Sequence, residues 1–141
     1  MMANIEATPI TYKANCHCGQ TRFTVELPDI RSSKVNRCNC SICTRNGYLL
    51  VYPKRDDVKF QSGWDELSSY RFGNSLKSHR FCPKCGTSVL IDFSESDRAI
   101  EREVVAVNIR TFQGIEEVFK NLTFRDVDGK NKLGPPYQIT E

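Results

Sequence analysis

Short segments of alternating polarity, tight turn pairs between them and a scarcity of helical periodicity point to a mostly β domain. The 141 residues are the size of one ordinary domain, long enough to bury a core and short for two. TRFTVEL, Thr21 to Leu27, sets Phe23, Val25 and Leu27 against Arg22, Thr24 and Glu26, the period of a half-buried strand. LLVYP (Leu49 to Pro53), DVKF (Asp57 to Phe60), LSSYRF (Leu67 to Phe72), KSHRF (Lys77 to Phe81), SVLIDF (Ser88 to Phe93) and EVVAVNI (Glu103 to Ile109) give further strands. Ser62-Gly63, Gly73-Asn74 and the stretch from Pro83 to Gly86 punctuate them. Two helical turns are expected, Ser41 to Asn46 and Gly114 to Lys120. Residues 1–13 read as a lead-in. From Arg125 onward the chain is polar and broken by Gly129, Gly134, Pro135 and Pro136, so residues 121–141 read as a tail packed on or near the domain of residues 14–120.

A hydrophobic fraction of 39% and a charged fraction of 26% are those of a soluble globular chain, and no apolar run is long enough for a membrane-spanning helix. The start, MMANIEATPITYK, lacks the basic and apolar regions of a secretory signal, which predicts a reducing compartment: the cytoplasm, with the nucleus open as a second site. Twenty Lys and Arg against seventeen Asp and Glu leave a formal charge of +3, scattered along the chain, so neither nucleic acid nor a membrane surface is an expected partner.

Seven cysteines fall into two sets. Cys16 and Cys18 sit two apart, so an extended segment turns both sulfurs to one side. Cys82-Pro83-Lys84-Cys85-Gly86 has the form of a zinc knuckle, whose glycine supplies the left-handed residue that ends the turn. Together, Cys16, Cys18, Cys82 and Cys85 predict a closed structural zinc that clips a long loop. Disulfides are disfavoured by the odd count and by the C-x-C and C-x2-C spacings. RCNCSIC then leaves Cys38, Cys40 and Cys43, and three ligands with an open position distinguish catalytic from structural zinc. Water or substrate fills the fourth place, or His79 closes it; an iron–sulfur cluster is a third alternative, though three cysteines leave the common clusters incomplete.

Bound thiolates call for cations, and Arg37, Arg45, Arg80 and Lys84 flank the cysteines, although each also reads as an ordinary surface charge. His17 is expected to point away from the metal. Trp64, Tyr70 and Phe72 read as packing residues, and neither Ser41 nor Thr44 has a base near in sequence.

CHCGQTRFTV, RCNCSIC and SHRFCPKCGTSVL, in this order, resemble the glutathione-dependent formaldehyde-activating enzyme family, and CNCSIC and HRFCPKCG resemble its centromere protein V branch. The resemblance runs from about Ala14 to Arg110; NGYLLVYP, SYRFG and AVNIRTFQGI are similar to fungal members. It implies a β-tent fold of two antiparallel sheets, one structural zinc on Cys16, Cys18, Cys82 and Cys85, and a second zinc on Cys38, Cys40 and Cys43. It also implies a carbon–sulfur lyase, or S-(hydroxymethyl)glutathione synthase, acting on a thiol such as glutathione and a small aldehyde or thioether. Arg45, Arg71, Lys77 or Arg80 would then bind glutathione's carboxylates, with Asp92 as a candidate general acid. The alternative is a non-catalytic zinc module for protein partners, and the absence of a long basic extension favours the enzyme.

Overall fold

The computed structural model describes residues 8–139. The first strands are β1 (Ile10–Asn15), β2 (Arg22–Leu27) and β3 (Lys34–Cys38), followed by helix α1 (Ser41–Asn46). Next come β4 (Leu50–Val51), β5 (Val58–Ser62), β6 (Ser68–Tyr70), β7 (Ser78–Phe81) and β8 (Ser88–Asp92). One-turn helices α2 (Ala99–Arg102) and α3 (Ile115–Val118) flank β9 (Val105–Asn108), and β10 (Thr123–Val127) leads into α4 (Gly129–Lys132). The protein is mostly β, in two sheets ordered β1-β2-β5 and β10-β3-β4-β9-β8-β7-β6.

The expected strands all form, most of them shorter at their ends, whereas β5 runs two residues past the expected Phe60, to Ser62 in the expected turn. Two more complete the larger sheet. KVNRC, β3, offers one fully buried apolar residue, Val35, and no alternation to announce it. TFRDV, β10, pairs with β3 in parallel, Thr123 beside Lys34 and Val127 beside Cys38. The larger sheet is therefore not wholly antiparallel, and a strand occupies the start of the segment read as a tail. Five residues at the sheet edge with only half-buried apolar positions carry too little pattern for a strand to be read locally; β10 exists because β3 offers it an edge. Residues 1–7 of the expected lead-in lie outside the described residues, and β1 begins within the rest of it.

Two apolar clusters lie on the two faces of the larger sheet. One buries Phe23 and Val25 of the smaller sheet with Val35, Val51, Leu90 and Val107, each such side chain contributing about 1.5–3 kcal/mol. The other gathers Leu50, Ile91, Phe93 and Ala106 around Tyr48 and Cys43. Because successive strand residues face opposite ways, Leu90 points to the first cluster and Ile91 to the second. Among the described residues no helix is long and apolar enough to cross a membrane.

Candidate metal centre

The β1–β2 and β7–β8 connections are matching knuckles. In the first, the Gly19 N–H donates to Cys16 O at 3.0 Å and the Cys16 N–H to Thr21 O at 3.1 Å; in the second, Gly86 donates to Cys82 O at 2.7 Å and Cys82 to Thr87 O at 2.9 Å. Both turns close on a left-handed glycine, Gly19 and Gly86 each at φ +81°, a conformation that a side chain disfavours. The sulfurs of Cys16, Cys18, Cys82 and Cys85 lie within 4.8 Å of one another. Cys16 Sγ to Cys18 Sγ is 3.6 Å and Cys18 Sγ to Cys82 Sγ is 3.7 Å. Four sulfurs about 2.3 Å from a zinc would stand about 3.8 Å apart, so the set fits a tetrahedral ion. The Thr21 N–H, 3.3 Å from Cys16 Sγ, supports negative charge there. His17 is exposed, and its backbone N–H donates to Thr87 Oγ1 at 3.1 Å.

The second set is local. Cys38 ends β3, Cys40 caps α1 and Cys43 lies within it, and the three sulfurs again fall within 4.8 Å. The Cys40 N–H donates to Cys38 Sγ at 3.4 Å. Three thiols this close do not ionise independently: the contact with Cys43, foremost, pulls Cys40 down to about 5, and the same contact with burial pushes Cys43 up. A divalent cation resolves that conflict by stabilising all three thiolates. Among the described residues no histidine or carboxylate joins the cluster. A cleft of about 300 Å³, lined by Arg37, Cys38, Asn39, Asp126, Val127 and Asp128, opens beside it.

His79, the alternative closing ligand, is buried against Tyr48, whose hydroxyl lies 3.1 Å from its Nδ1, and Phe72. Burial, helped by the Lys77 charge, lowers its pKa from 6.5 to about 4. Between these values the unfolded chain binds the extra proton, so His79 stabilises the fold fully above pH 6.5 and progressively less as pH falls toward 4. We expect about 2 kcal/mol of wild-type stability to disappear between pH 7 and pH 5 on this account alone. Urea unfolding of wild type and His79→Gln at both pH values isolates it, since any thiolate protonation is common to both. Equal pH dependence in the two proteins would refute the assignment.

The cations are divided. Arg37 pairs with Asp126 at 2.8 Å and covers Phe124. Arg80 lies over Trp64 and 3.9 Å from Asp92, on the sheet face away from the second cluster, while Arg71 pairs with Glu95. Arg45 stands on α1 with Tyr137 beneath its guanidinium, and Lys77 lies over Phe93. Asp92 is no general acid: burial raises its pKa, but hydrogen bonds from Ser94 and Arg55 and the Arg55 charge outweigh that and hold it ionised below the ordinary value. Trp64 packs against Phe60 as expected, whereas Tyr70 and Phe72 stack on each other at the surface, 47% and 36% exposed. Thr44 Oγ1 donates to Asn39 O at 3.2 Å.

The sequence model described as "Glutathione-dependent formaldehyde-activating enzyme" matches residues 11–123. The chain belongs to this family. The match reaches beyond the segment that carried the resemblance, taking in β1 and the start of β10. The fold is similar to the crystal structure of a Rhodobacter sphaeroides protein, a structural-genomics target, at 27% identity and a TM-score of 0.66, over 80% of this chain and 99% of that one. No curated protein matches the chain. Formaldehyde-activating family members share a name that joins a thiol to an aldehyde, and in this one two sulfur clusters suited to zinc accompany it.

Proposed function

We propose that the protein is a zinc-dependent carbon–sulfur lyase or synthase, joining a thiol such as glutathione to a small aldehyde or cleaving the adduct. Cys16, Cys18, Cys82 and Cys85 hold a structural zinc in this reading, and Cys38, Cys40 and Cys43 a second one. The observation that carries it is a three-sulfur cluster without a fourth side-chain ligand among the described residues, opening on a cleft lined by Cys38. A zinc ion there supplies the Lewis acidity that keeps a substrate thiol deprotonated at neutral pH. Cys38, Cys40 and Cys43 would hold that ion, leaving the cleft beside Cys38 for the substrate thiol. Arg37 offers a guanidinium to glutathione's carboxylates, and Asp126 and Asp128 offer carboxylates to its ammonium. In the forward direction the substrate sulfur forms a bond to the aldehyde carbon, the carbonyl π pair moves to oxygen, and that oxygen takes a proton from water entering the open cleft. Such chemistry suits a reducing compartment, and we assign the chain to the cytoplasm.

Protein purified without chelator is expected to contain two zinc ions per chain by elemental analysis. With cobalt substituted, millimolar glutathione should change the visible spectrum as a further sulfur enters the ion's first shell. One metal per chain, or a spectrum indifferent to thiol, contradicts the proposal. Two zinc ions and a thiol response without turnover of any aldehyde would favour the non-catalytic zinc module.

A further inference from the structure

The chain beyond the family match is built into the second cysteine cluster. Parallel pairing of β10 with β3 ends with Val127 beside Cys38, so the residues that follow are delivered to the place where the cluster begins. They are held there by Asn39, the residue between two of the cysteines. The Asn39 N–H donates to Val127 O at 3.0 Å, its Nδ2 to Asp128 Oδ1 at 3.0 Å, and its Oδ1 accepts from the Lys130 N–H at 2.9 Å. Asp128 in turn caps α4, accepting from the Asn131 N–H at 3.3 Å. Between these anchors Gly129 is buried against Cys38 Sγ and Cys40 Cβ. A Cβ placed on it would stand 2.5 Å from Cys38 Sγ, 3.1 Å from Cys40 Cβ and 3.2 Å from Leu133 Cδ1. No non-bonded carbon approaches a sulfur that closely, and all three neighbours surround the one position, so only glycine lets the segment lie where it does.

We propose that the segment from Val127 to Leu133 is a wall packed on Cys38 and Cys40 that bounds the cleft beside them, and that Gly129 is the positioning residue that sets the Cys38 sulfur. Val127 and Asp128 also line the cleft beside Cys38, so the segment bounds the opening through which an incoming thiol reaches the cluster, which makes it a determinant of what enters. As a statement about a metal site the inference rests on the proposed function; as a statement about the sulfur it does not.

Two variants test it: Gly129→Ala, and a chain ending at Val127, with Lys132→Ala as an exposed control. The first readout is alkylation of Cys38 by iodoacetamide in the folded protein, followed by peptide mapping with Cys18 as internal reference. The second is zinc per chain under competition with a chelator. Both variants should alkylate Cys38 several-fold faster than wild type, with Cys18 unchanged, and should hold zinc at the second cluster about 10- to 100-fold more weakly, as changes just outside a metal's ligands do. Wild-type alkylation of Cys38 in both variants overturns the proposal; if the shortened chain does not fold, Gly129→Ala decides alone. A wild type carrying a single zinc would defeat the second-metal reading, while the alkylation comparison would still decide whether the wall exists.

Discussion

Cys82→Ser is expected to leave the chain unfolded or aggregated. Cys82 and Cys16 are fully buried, and their two knuckles bring the smaller sheet's β1–β2 turn against the larger sheet's β7–β8 turn across 64 residues of sequence. A structural zinc contributes about 10–16 kcal/mol of apparent binding free energy in small zinc peptides, as much as or more than the roughly 5–15 kcal/mol net stability of a domain. Loss of one thiolate also leaves a buried hydroxyl beside three sulfurs that must then protonate or repel. Circular dichroism and gel filtration of the variant would check this. A monomeric Cys82→Ser with native strand content and wild-type resistance to urea would show that packing between the sheets, and not an ion at the knuckles, holds them together.

Cys40→Ser is expected to fold, keep one zinc and lose carbon–sulfur chemistry altogether. The contrast follows from topology: Cys38, Cys40 and Cys43 belong to the end of β3 and the first turns of α1, so an ion there joins residues already held by local structure. Releasing it frees little chain, and loop-closure entropy grows only slowly with the length closed. The sheet beneath stays assembled through Leu50, Ile91 and Ala106. Elemental analysis, thermal unfolding and an assay of glutathione with formaldehyde together read the outcome. Collapse like that of Cys82→Ser would make the second cluster structural; a folded variant that still turned over would place the chemistry elsewhere.

Local patterns determined much of this protein. Alternation in TRFTVEL and SVLIDF, turns at glycine pairs and the spacing of the seven cysteines were enough for the mostly β class, the two sulfur sets and the family, because each is written within a few residues or in an ordered motif. Side-chain partners were not written there. His79 stays open as an alternative metal ligand from its place before Cys82, yet the strand's alternation turns it onto Tyr48 and Phe72, and Asp92 reads as a candidate acid until Arg55 is found beside it. Least visible was the C-terminal segment, polar and rich in glycine and proline, which sequence alone assigns to a surface tail. Its strand depends on an edge supplied by β3, some 90 residues earlier, and the need for glycine at 129 on a sulfur that only the parallel register brings close. Pairing between distant strands is a tertiary choice with no local periodicity to record it, so the tertiary structure alone brought this segment against Cys38 and Cys40.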